Sequence, residues 1–105
     1  MTKDMKPEDV KIVHESALND RSIYLHTNYR VSSERMTGDF STTKKEGKAG
    51  KLFRDLTSMT GVQGITMNLY KVLIDRSLAW EWKDLLPHVE ELIRNAILEA
   101  GGHLD

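Results

Sequence analysis

Residues 21–31, RSIYLHTNYRV, alternate strictly between two kinds of side chain. Ile23, Leu25, Thr27, Tyr29 and Val31 share one parity, and Tyr24, His26, Asn28 and Arg30 share the other. A period of two residues predicts a strand with one covered face and one wet face. Upstream, VKIVHESAL at residues 10–18 places Val10, Ile12 and Leu18 in one parity, with His14 and Ser16 between them. Asn19-Asp20 separates the two runs, and both residue types tolerate the positive φ of a tight turn, so a β-hairpin is expected. For the two apolar faces to coincide, even positions of the first strand must oppose odd positions of the second. That register places His14 on the covered face near Leu25, and His26 on the opposite face.

The remaining chain supplies the cover. SSERMTGDFSTTKKEGKAG is a polar, glycine-bearing connection that holds a short strand around residues 36–42. Thr43 and Glu46 have capping-box spacing. Beyond them Ala49, Leu52, Phe53, Leu56 and Met59 form a single helical stripe that ends at Thr60-Gly61. VQGITM and YKVLID predict a second hairpin turning at Asn68-Leu69, which would set Met67 against Tyr70 and Ile65 against Val72. Leu85, Leu86, Val89, Leu92, Ile93, Ala96, Ile97 and Ala100 form a wide final stripe. Its expected N-cap is Asp84, with Pro87 in the first turn, Trp82 and Lys83 as a lead-in, and Gly101-Gly102 as the stop. The order β-β-(β)-α-β-β-α is an α+β two-layer sandwich, a mainly antiparallel sheet with two helices on one face. Residues 10–100 make one domain between a flexible lead-in at 1–9 and a tail at 101–105.

Composition narrows the function. At 105 residues, 39% hydrophobic and 30% charged, with a net charge of −1, the chain suits one globular domain with no global bias towards nucleic acid or membranes. It has no cysteine, which excludes disulfides, thiol chemistry, zinc ribbons and any thiolate-ligated iron–sulfur cluster of its own. MTKDMKPEDV lacks the apolar core of a secretory signal, and no stretch approaches a membrane span, so a cytoplasmic location is expected.

Several features then occur in a familiar order. They are Leu52-Phe53…Leu56…Met59, Gly61-Val62 leading into a strand, Val72-Leu73-Ile74-Asp75 ending a strand pair, and Trp82-x-x-Leu85-x-Pro87 opening the final helix. Together with the first hairpin, this set resembles the N-terminal domain of NifU-like (Nfu-type) scaffold proteins, which act in iron–sulfur cluster assembly. The resemblance covers most of residues 10–98. Two features depart from it. Where the family carries a Thr-Pro-Asn-Pro-Asn type loop, this chain has Ala17-Leu18-Asn19-Asp20-Arg21. The family's cluster-ligating Cys-x-x-Cys pair, in a separate domain, has no counterpart here. The resemblance therefore implies an accessory domain without the cluster site.

Lys44, Lys48 and Lys51 fall at i, i+4 and i+7, one face of the first helix. They form either a solvated face or a basic surface for an acidic protein partner. The second helix carries Asp84, Glu90, Glu91 and Glu99 against Lys83 and Arg94. Trp82 reads as a core anchor beside Leu85 and Leu86. Trp80, in the preceding loop, reads equally as a binding contact or as packing. His14, His26, His88 and His103 lack metal-ligand spacing, and no nucleophile–base pair or phosphate-cradling loop is present, so neither metal, cofactor nor catalysis is expected. The expectation is a non-catalytic protein-interaction domain whose partners are iron–sulfur assembly or apo-target proteins. The alternative is a stand-alone adaptor of the same fold outside that metabolism, self-associating through a sheet edge or the side bearing Tyr24 and Arg30.

Overall fold

The computed structural model describes residues 5–42 and 46–104. A short 3-10 turn at Pro7–Asp9 leads into strands β1 (Ile12–Ser16), β2 (Ser22–Thr27) and β3 (Ser32–Gly38). Helix α1 (Gly47–Thr57), strands β4 (Val62–Leu69) and β5 (Lys71–Arg76), and helix α2 (Trp82–Ala100) follow. The five strands form one antiparallel sheet in the order β1-β2-β5-β4-β3. This is an α+β fold with both helices on one face.

The alternation in residues 21–31 does what a half-buried strand requires. His14 pairs with Leu25, as the parity of the hairpin demands. Across the sheet, Met36, Met67, Val72, Leu25 and His14 lie in one row, and Gly38, Ile65, Ile74, Ile23 and Ser16 in the next. The apolar members of these rows pack with Leu52, Phe53, Leu56, Leu85, Val89, Ile93 and Ile97 into a single core. Both helices therefore stand on the same floor. Fully burying each such side chain stabilises the fold by roughly 1.5–3 kcal/mol.

The boundaries differ from the sequence reading in ways that have physical causes. β1 stops at Ser16, and Leu18, predicted on the apolar face, is fully exposed in the turn. β2 stops at Thr27, because Asn28 turns back to clamp the start of the domain. Its Oδ1 accepts the Lys11 N–H and its Nδ2 donates to the Asp9 carbonyl, each at 2.9 Å. Residues 5–9 are thus held rather than loose, with Met5 packed on the core. The third strand starts earlier than expected, at Ser32. Thr43, read as the cap of α1, lies outside the described residues. Glu46 is itself the extended N-cap, so it cannot be the helical third residue that a Thr43 capping box needs.

α2 begins at Trp82, with Glu81 and not Asp84 as N-cap, and this leaves Pro87 inside the helix. Proline there forfeits the bond to the Lys83 carbonyl. Lys83 is exposed, so water can satisfy that oxygen. The burial of Leu85, Leu86 and Val89 beside it offsets the loss. At the other end Gly101 adopts the left-handed conformation, and the N–H groups of Gly101 and Gly102 reach back to Leu98 and Ile97. The segment that follows is not a tail. Leu104 is buried, its N–H donates to the Arg30 carbonyl at 2.7 Å, and His103 Nδ1 accepts the Arg30 N–H at 2.9 Å.

The β4–β5 turn is made by Leu69-Tyr70, one residue later than expected. Met67 consequently faces Val72, and Ile65 faces Ile74. A slide of two residues keeps every side chain on its face, so the apolar pattern cannot distinguish the two registers. Leu69 sits at φ 58, the one described non-glycine residue with positive φ. Its carbonyl accepts the Val31 N–H at 2.7 Å and the Tyr70 carbonyl accepts the Thr27 N–H at 2.8 Å, which pins the turn to the β2–β3 connection. A left-handed leucine costs ~1–2 kcal/mol, and glycine gives back part of that in chain entropy. Leu69→Gly is therefore expected to raise unfolding stability by about 0.5–1 kcal/mol in urea titrations. A loss of stability would show that Leu69's half-exposed side chain matters more than its backbone.

Candidate functional site

The basic face of α1 is smaller than its spacing suggests. Lys44 lies outside the described residues. Lys48 and Lys51 are exposed and line a cleft of about 380 Å³ between α1 and α2, together with Leu52, Asp55, Leu92 and Glu99. Lys51 Nζ donates to Asp55 Oδ2 at 3.0 Å. That hydrogen bond, then the charges of Asp55 and Glu99, raises the Lys51 ammonium above the usual lysine range. Lys51 is thus neutralised mainly within its own helix, with Glu99 of α2 adding to the effect, and among the described residues Lys48 makes no ion pair.

The two tryptophans belong to one structural joint built on Arg76. Its guanidinium lies 5.6 Å from the Trp82 ring, and its Nη1 donates to the Trp80 carbonyl at 2.7 Å. Its Nε donates to the Asp20 carbonyl at 3.1 Å, and Trp82 Nε1 donates to that same oxygen at 3.0 Å. The β1–β2 turn, the end of β5 and the start of α2 are fastened at one point. Trp82 is a half-buried anchor that also ties down the loop at residues 17–21. Trp80 is likewise half-buried, its indole lying over Gly61 so closely that a Cβ there would stand 2.9 Å from the ring. Packing describes Trp80 better than an open contact does.

Among the described residues, neither helix covers the sheet's other face. Between the two apolar rows run Thr37, Thr66, Leu73, Tyr24 and Glu15, flanked by Asn68, Lys71, His26 and Val13. Tyr24, Arg35, Thr66, Asn68, Lys71 and Leu73 line a shallow depression of about 230 Å³. Lys71 Nζ lies 5.2 Å above the Tyr24 ring, while among the described residues the Arg35 side chain makes no hydrogen bond or ion pair. The Thr37 and Thr66 hydroxyls are 2.7 Å apart, and His26 Nε2 lies 2.6 Å from Glu15 Oε1. The sequence reading placed Tyr24 on this side correctly. It placed Arg30 there too, but beyond Thr27 the parity no longer applies, and Arg30 instead holds the C-terminal segment, with Nε donating to the Leu104 carbonyl at 3.3 Å. Arg35 and Lys71 were missed, although the parity of YKVLID gives Lys71 and Leu73 the same side.

The histidines are dispersed. His14 contacts Glu90 of α2 on the helix side of the sheet, His26 sits on the open side, and His103 is engaged by Arg30. Among the described residues no group of three or more His, Cys, Asp or Glu is placed to hold a metal ion. No described helix is long and apolar enough to cross a membrane.

Among solved structures, the crystal structure of protein SAV1430 from Staphylococcus aureus has a similar fold. The two superpose with a TM-score of 0.62 at 18% sequence identity, over 78% of this chain and 96% of that one. At that identity the likeness establishes the architecture alone. No family model and no curated protein matches the chain.

The seat of Trp80 gives a direct test. Gly61 has φ 97 and no room for a Cβ against the indole, so Gly61→Ala must strain the backbone and displace the ring. We expect a loss of about 2–3 kcal/mol in chemical denaturation and altered tryptophan fluorescence. An unchanged emission spectrum would mean that Trp80 has no fixed seat.

Proposed function

We propose that this chain is a non-catalytic protein-interaction domain of the Nfu N-terminal type, which assists iron–sulfur cluster assembly or delivery without ligating the cluster. The residues that carry the resemblance lie largely in the shared core: Leu52, Phe53, Leu56, Val72, Ile74 and Leu85 are all buried. They therefore support a common fold, and a surface must carry the function. The observation that favours docking is the uncovered sheet face, where Arg35 and Lys71 flank Tyr24 and Leu73. Two cations beside a half-exposed aromatic suit an acidic protein segment better than a neutral one. The basic face of α1 is the weaker docking candidate, because Lys51 is already engaged by Asp55.

A stand-alone adaptor outside iron–sulfur metabolism is the second reading, favoured by the loop at residues 17–21. That loop departs from the family pattern and is tied down by Arg76 and Trp82.

Affinity purification from the native host, with wild type and Arg35→Glu/Lys71→Glu as baits, tests both readings. Recovery of cluster-assembly factors or apo iron–sulfur proteins with wild type is expected, falling about tenfold or more with the variant. Equal recovery by both baits would move docking off the sheet face. Recovery of unrelated proteins alone would favour the adaptor.

A further inference from the structure

β1 is an edge strand, and among the described residues no backbone pairs with its outer rim. The Lys11 carbonyl accepts the Asn28 N–H at 3.3 Å, so odd positions along this segment turn their backbone groups inward, towards β2. Antiparallel pairing alternates along a strand, and Ile12, His14 and Ser16 therefore direct their N–H and C=O groups outward. The opposite edge is different. β3 is irregular between Ser32 and Met36, where the Ser32 hydroxyl bonds to the backbone of Glu34 and interrupts the row. β1 has no bulge and no proline; most of its side chains are exposed, Val13 to 62%, although His14 meets Glu90 and Glu15 meets His26. It thus lacks two of the devices that protect an edge, the bulge and the proline.

We infer that two copies of this chain associate through β1, antiparallel about a two-fold axis, joining their sheets into one. The register follows from two constraints. Outward-facing even residues must meet outward-facing even residues, which keeps the helices of both copies on the same side of the joined sheet. Charge then selects the axis. With Val13 on the axis, Ile12 exchanges hydrogen bonds with the partner's His14, and Lys11 stands opposite the partner's Glu15. By symmetry this charge pair occurs twice. Glu15 already meets His26 through Oε1 and keeps Oε2 for the lysine. Val13 meets its own copy at a site without main-chain hydrogen bonds, where side chains approach most closely and its exposed surface is covered. The competing register, with His14 on the axis, sets Lys11 against Ala17 and stacks two histidines; it offers no charge pair. A five-residue edge falls at the small end of interfaces, so the dimer is reversible, with half-association on the order of 100 µM.

Sedimentation of the full chain at low salt, from roughly 10 µM to 1 mM, reads this directly. Wild type should pass from monomer to dimer. Lys11→Glu and Glu15→Lys should each weaken association about tenfold or more, and the double variant Lys11→Glu/Glu15→Lys should recover it. Hydrogen exchange on wild type gives a readout that needs no variant: the amides of Ile12 and His14 should slow as concentration rises, while Val13, already bonded to β2, should not change. A monomer throughout the range would overturn the inference and leave the rim to another chain. So would single variants that dimerise as well as wild type, a double variant that fails to recover, or exchange at Ile12 and His14 that ignores concentration.

Discussion

The structure depends on a sheet that has only one dry side. Met36, Met67, Val72 and Leu25 in one row, and Ile65, Ile74 and Ile23 in the next, need a cover that the strands cannot supply themselves. α1 brings Leu52, Phe53 and Leu56 to this floor, and α2 brings Leu85, Val89, Ile93 and Ile97. Neither helix has a side-chain cap at its start, and Pro87 interrupts the hydrogen bonding of the second. Their stability comes from packing on the sheet and on each other, not from local propensity. With both helices committed to one side, the other side is left to polar residues and becomes the natural place for an external contact.

The joint around Arg76 fastens the ends of this arrangement. One guanidinium reaches the β1–β2 turn, the loop before α2 and the Trp82 ring. At the far end of the sheet, Thr27 and Val31 hold the β4–β5 turn while Arg30 holds the C-terminal segment. Backbone carbonyls do most of the accepting in both places. The side chains of these loops are therefore free to vary so long as the chain path is kept. Residues 17–21 are an instance, since Asp20 contributes its carbonyl oxygen and not its carboxylate to the joint.

Much of the architecture was legible because it rests on periodicity. The alternation at residues 21–31 and the stripes from Ala49 and Leu85 gave the element order, the covered face and the His14–Leu25 register. What the pattern could not give was set by groups that carry no periodic signal. β2 ends where Asn28 finds backbone partners distant in sequence, and α2 begins ahead of its proline because Trp82 has a carbonyl to bond across the fold. The surfaces were less legible. Of the expected lysine face, Lys48 and Lys51 lie on α1 and Lys44 falls before its N-cap, while Asp55 and the neighbouring Glu99 reduce the charge of Lys51. Arg35 joins Lys71 and Tyr24 only because β3 packs beside β4, an adjacency that no local reading of SSERMTG contains.

The register of the β4–β5 hairpin also bears on the order of events in folding. Alone, these strands have two alignments that bury the same faces, and the one adopted asks a leucine to bend the chain the less comfortable way. What selects it lies outside the hairpin, in the amides of Thr27 and Val31, dozens of positions earlier in the chain. The hairpin therefore cannot act as an autonomous nucleus. It becomes definite only once β2 has docked beside it, and folding must wait on that long-range encounter, as in other chains whose decisive contacts are remote.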